Sequence, residues 1–79
     1  MNAEMERTLD VRRSLLDAGH PDIAVTLREI GVLLMETGRY AEAEARLLES
    51  RRIAVARLGA DDHDTRSIDR EIRRLSAHR

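Results

Sequence analysis

The sequence predicts an all-α fold of four helices arranged as antiparallel helical hairpins, and three observations lead there. The single proline and the punctuating glycines fall at Gly19-His20-Pro21, Gly38 and Gly59, and cut the 79 residues into four segments. Each segment repeats apolar residues at helical spacing, and none alternates as a half-buried strand would. The connections left between segments are only a few residues long, which makes successive helices antiparallel neighbours.

The elements follow in order. A helix over about 3–17 is carried by Met5, Leu9 and Leu16. The second, over about 21–37, opens on Pro21, whose missing N–H is not needed at a first helical position, and Asp22 puts a negative charge in its first turn. Ile23, Leu27, Ile30 and Leu34 form its stripe, and Gly38 supplies the left-handed residue that closes it. A third helix over about 39–58 carries Ala43, Leu47, Ser50, Ala54 and Leu58 and closes at Gly59. The last, over about 63–77, keeps Ile68, Ile72 and Leu75.

Composition narrows the functional classes. There is no Cys, Trp or Phe, and Tyr40 is the one aromatic, so the core is aliphatic and disulfide stapling is excluded. Fourteen basic residues, all arginine, stand against 15 acidic ones, for a net charge of −1. That balance gives no long-range attraction to nucleic acid or to an anionic membrane. No apolar run is long enough for a membrane span, and the opening MNAEMERTLD is acidic and polar where a secretion signal is basic and then apolar. The expected location is cytoplasmic, with neither nucleic acid nor membrane as partner.

The chain also repeats itself. Arg28-Glu29-Ile30 returns as Arg70-Glu71-Ile72, an offset of 42 residues. At that offset Met5 meets Leu47, Thr8 meets Ser50, Val11 meets Ile53, Leu16 meets Leu58, Asp22 meets Asp64 and Leu33 meets Leu75. Apolar falls on apolar and small on small through most of the overlap, as in a copied helix pair, and a period of about 20–50 residues means stacked repeats.

The stretch HPDIAVTLREIGVLLMETGRYAEAEARLLESRRIAVARLGADDHDT resembles the tetratricopeptide repeat of the kinesin-light-chain type, with its 42-residue unit. His-Pro-Asp opens the unit, a Leu-x-x-Leu-like helix follows, then Gly38-Arg39-Tyr40-Ala41-Glu42-Ala43 and a long second helix ending in Leu58-Gly59. By that resemblance Leu27, Ile30, Leu34 and Leu47 take the large apolar positions, and Gly31, Ala43 and Ser50 the small ones. It implies a short right-handed solenoid of stacked hairpins: a half-unit at 1–18, a complete unit at 19–59 and a C-terminal capping half-unit at 60–79. In the last segment Leu27 is replaced by Asp69, Gly31 by Arg73, Val32 by Arg74 and Leu34 by Ser76, so one apolar stripe survives, as a capping helix requires.

Candidate chemistry is sparse. His63 lies among Asp61, Asp62 and Asp64, but consecutive residues at a helix start point in different directions, and a capping cluster explains them better than a metal site. No nucleophile accompanies His20. Arg51, Arg52, Arg66, Arg70, Arg73, Arg74 and Arg79 are diluted by Glu49, Asp69 and Glu71 and lack the aromatics of a single-strand platform, so they read as a solvated face. No catalytic residue, metal or cofactor is expected, and the protein is not expected to be an enzyme.

Two binding surfaces remain. The resemblance implies that the first helix of each unit lines a groove, here with Val25, Arg28, Val32, Met35 and Glu36, which share one helical face and suit a protein or peptide partner. The first helix would lack a helix to pack on, so Met5, Leu9, Val11 and Leu15 form a candidate self-association face, giving a homo-oligomer. The expected function is a non-catalytic protein–protein interaction or scaffolding module, the C-terminal part of a longer array. The alternative is a small homo-oligomerisation module.

Overall fold

The computed structural model describes residues 3–15 and 19–78, and the side chains of all of these except 13–15. Four helices make up the described chain: α1 (Ala3–Leu15), α2 (Pro21–Glu36), α3 (Tyr40–Leu58) and α4 (His63–Ala77). The expected boundaries hold to within one residue for α2, α3 and α4. The expected continuation of α1 over residues 16–17 lies outside the described residues. Among the described residues there is no strand, and no helix is long and apolar enough to cross a membrane.

The helix ends show why the punctuation works. At the start of α2, His20 adopts an extended backbone and its Nδ1 accepts the Asp22 N–H at 3.1 Å, while Pro21 takes the first position. At the start of α4, Asp62 does the same for the Asp64 N–H at 2.9 Å. The two caps stand 42 residues apart in the sequence and make the same hydrogen bond. At the other end of α2, Gly38 has φ +80, the Arg39 N–H donates to the Leu34 carbonyl at 2.8 Å and the Gly38 N–H to that of Met35 at 3.0 Å. This paired closure needs a positive φ at residue 38, which glycine adopts without a Cβ clash.

α2 and α3 form the central hairpin, in an antiparallel register read from three contacts. Gly31 lies against Ala43 and Leu47, and seven residues earlier on α2, Ala24 lies beside Ser50, seven residues on from Ala43. The Ser50 hydroxyl, fully buried, donates to the Ala24 carbonyl at 2.6 Å. A larger residue at 50 would hold the two backbones apart, so the small positions set how closely the hairpin closes. Leu27, Ile30, Leu34 and Leu47 fill the space between, each at most 1% exposed.

α4 packs antiparallel on α3. Arg51 donates to Asp69 at 2.6 Å near the middle, and the Tyr40 ring stacks on His78 at the far end, with centroids 6.0 Å apart and planes 9° from parallel. Ile68 and Leu75 are buried and Ile72 is partly buried against the core, so the surviving stripe faces inward as expected.

Thr65 is a local flaw in that face. It is 0% exposed and its hydroxyl has no hydrogen-bond partner among the described residues. An unsatisfied buried hydroxyl costs about 1–3 kcal/mol, whereas an apolar group of the same shape costs nothing to desolvate. Thr65→Val is therefore expected to leave the fold intact and raise the thermal midpoint by a few degrees, and a lower midpoint would contradict this account.

α1 corrects the sequence expectation of a bare apolar stripe. It lies antiparallel along α2, tied at one end by Arg12 to Asp22 at 3.2 Å, and reaches α3 through Glu6 and Arg46 at 3.5 Å. Leu9 is 1% exposed and belongs to the common core, and Met5 packs partly buried against it. Val11 points away, 51% exposed, and the Leu15 side chain lies outside the described residues. The reason is periodicity: Met5 and Leu9 are one turn apart and share the face that meets α2, while Val11 falls on the opposite side.

Candidate peptide-binding groove

α2 touches all three other helices, so little of it is left to solvent. What remains forms a groove with α2 as its floor. Met5, Arg28, Glu29, Val32, Leu33 and Glu71 surround one hollow of it, which places a residue of α1 on one side and one of α4 on the other. Towards the start of α2 a second hollow lies against α1, lined by Glu4, Met5, Thr8, Arg12, Asp22, Val25, Thr26 and Glu29. Met5 and Glu29 border both, so the two hollows adjoin.

The arrangement brings together three of the five residues assigned to the groove from sequence. Val25, Arg28 and Val32 are partly buried and line it. Met35 does not: it is 4% exposed and part of the core, because a helix with neighbours on three sides buries a wider arc than a single apolar stripe. Glu36 is exposed and stands outside both hollows. Met5, Glu29, Leu33 and Glu71 were missed. Leu33 carried a signal, being a large apolar residue off the Leu27–Ile30–Leu34 stripe, whereas Met5 and Glu71 enter from other helices and no local pattern announces them.

The lining of this hollow is apolar through Met5, Val32 and Leu33 and carries charge of both signs through Arg28, Glu29 and Glu71. Methionine adapts its shape to different side chains, and mixed charge favours a polar segment of matching pattern over a purely apolar one. What this lining offers a partner is contact area and hydrogen bonding.

A family model described as Tetratricopeptide repeat matches residues 3–54, which takes in α1, α2 and most of α3. The chain belongs to the tetratricopeptide repeat family. No curated protein and no solved structure matches it. Family membership agrees with the helical hairpins and with the small residues Gly31, Ala43 and Ser50 at the closest approach of α2 and α3. Tetratricopeptide repeats generally mediate contacts between proteins.

Proposed function

We propose that the chain is a non-catalytic, cytoplasmic protein–protein interaction or scaffolding module, part of a longer array of 42-residue units of the kinesin-light-chain type. The repeat length is supported by the matching caps at His20 and Asp62, and by buried pairs at the same offset, Ile23 with Thr65 and Thr26 with Ile68. In this reading residues 1–18 are a half-unit, 19–59 a complete unit and 60–79 the C-terminal cap. The single apolar face of α4 supports the last assignment, since its opposite face carries exposed Arg66, Arg70 and Arg73.

The observation that carries the proposal is the groove itself, with Val32 and Leu33 on its floor between Met5 and Glu71. An extended or helical peptide laid along α2 would seat an apolar side chain on Val32 and meet Arg28 and Glu29 with polar ones. The test is selection of peptides from a displayed library against the purified chain, followed by affinity measurements on variants. Val32→Glu places an unpaired charge under the peptide and is expected to weaken selected binders about tenfold or more, while Val11→Glu, on the outer side of α1, leaves them unchanged. Binders indifferent to Val32→Glu would place recognition elsewhere and remove the proposal.

A further inference from the structure

A second surface has charge without compensation. Five arginines elsewhere are answered by carboxylates: Arg12 by Asp22, Arg39 by Glu42, Arg46 by Glu6, Arg51 by Asp69 and Arg74 by Glu71. Arg66, Arg70 and Arg73 on α4 are exposed, and none of them has an ion-pair partner among the described residues. They surround a single shallow hollow together with Ala60 and Asp69. Asp69, the one carboxylate there, is held by Arg51 at 2.6 Å, and Asp62 nearby is committed to capping the helix.

The spacing makes the arrangement costly in the free chain. Residues four and three apart on a helix are neighbours, so Arg66 lies one turn from Arg70 and Arg70 one turn from Arg73, and like charges so placed destabilise a helix. Arg66, Asp69, Arg73 and Ser76 also stand where α2 has Ala24, Leu27, Gly31 and Leu34, the flank that α2 presents to α3. An apolar helix of the α3 kind would bury guanidinium groups there without partners. A segment bearing carboxylates at the same spacing would neutralise them and relieve their mutual repulsion, over a span of about 10 Å at 1.5 Å per residue.

We infer that the outer flank of α4, formed by Arg66, Arg70 and Arg73, is a docking surface for an acidic segment of a protein partner. This surface is separate from the groove over α2, and the inference stands or falls without it. The partner presents three carboxylates in a row, set antiparallel or parallel along α4, and each guanidinium gives a charge-assisted hydrogen bond.

The experiment uses a fluorescein-labelled, alanine-based helical peptide with glutamate at i, i+4 and i+7, titrated with the full chain at low and at physiological salt. Binding is expected that falls several-fold as salt rises and the charges are screened. Arg66→Gln, Arg70→Gln and Arg73→Gln together are expected to weaken it about tenfold or more. The same triple variant is expected to melt no lower than the parent, because a like-charge row has been removed; a set of arginines kept for stability would give the opposite. Arg28→Gln, in the groove, leaves the affinity unchanged. Absence of binding at low salt, an unaltered affinity in the triple variant, or a loss on Arg28→Gln would each overturn the assignment.

Discussion

Gly31→Leu is expected to lower the thermal midpoint by about 5 °C or more, the effect of roughly 1–2 kcal/mol in a domain of this size. A Cβ placed on Gly31 would sit 2.7 Å from Cγ and 2.8 Å from Cδ2 of Leu47, and 3.4 Å from the Ala43 carbonyl oxygen. Leu47 is 0% exposed, so it cannot swing into solvent to make room. The gain in helix propensity on losing a glycine is about 0.5–1 kcal/mol, while overpacking a closed core costs about 1–3 kcal/mol or more for a side chain that finds no space. The steric term therefore wins. Alanine at 31 already brings the Cβ contact at 2.7 Å, so it too is expected to destabilise, by less than leucine.

The mechanism is separable from general damage by a second variant. Leu47→Ala alone removes buried methyl groups and is expected to cost about 2–5 kcal/mol. Combined with Gly31→Leu it moves volume across one interface, and the pair is expected to be less destabilised than the two single changes added together. Melts followed by circular dichroism on the three variants measure this coupling. Strict additivity would mean that residues 31 and 47 do not meet.

Much of the fold was legible because its signals are local. Pro21, Gly38 and Gly59 mark boundaries through backbone chemistry that acts within a few residues, and the helical stripes depend only on spacing. Even the close approach of α2 and α3 was visible as a glycine inside an apolar run at Gly31, since a helix tolerates that residue at a cost unless another backbone comes near. Burial around α2 was less legible. Met35 reads as a groove residue on the wheel of one helix, yet three neighbouring helices decide its surroundings, and their placement depends on the whole sequence. Leu9 fails in the opposite direction. In the sequence it reads as part of an uncovered face, whereas α1 turns that face onto α2. The groove combines both kinds of information: Val25, Arg28 and Val32 came from spacing along α2, and Met5 and Glu71 could come only from packing.

The same helix gives the sharpest contrast between the two sides of an element. Leu9→Glu is expected to detach α1 rather than to loosen the whole molecule. A carboxylate held at a position 1% exposed would cost several kcal/mol without a partner. Opposing that, the variant α1 keeps only Met5 packed partly buried against the core, together with ion pairs to Asp22 and Arg46 that are partly exposed and worth about 0–1 kcal/mol each. Undocking is cheaper than burying the charge. A free helix shorter than about 12–15 residues is marginal in water, so the 13 residues of α1 should then lose their structure. Helical circular dichroism is expected to fall by about a fifth, the share of α1 among the four helices, while the α2–α3–α4 core keeps its cooperative melt. Val11→Glu, at a position 51% exposed on the same helix, is expected to change stability by less than about 0.5 kcal/mol. Were α1 instead a surface by which copies of the chain associate, both variants would change the mass measured by light scattering and neither would reduce helicity in the dissociated chain. Helicity lost with Leu9→Glu alone, at unchanged mass in both, assigns Leu9 to the interior of one chain.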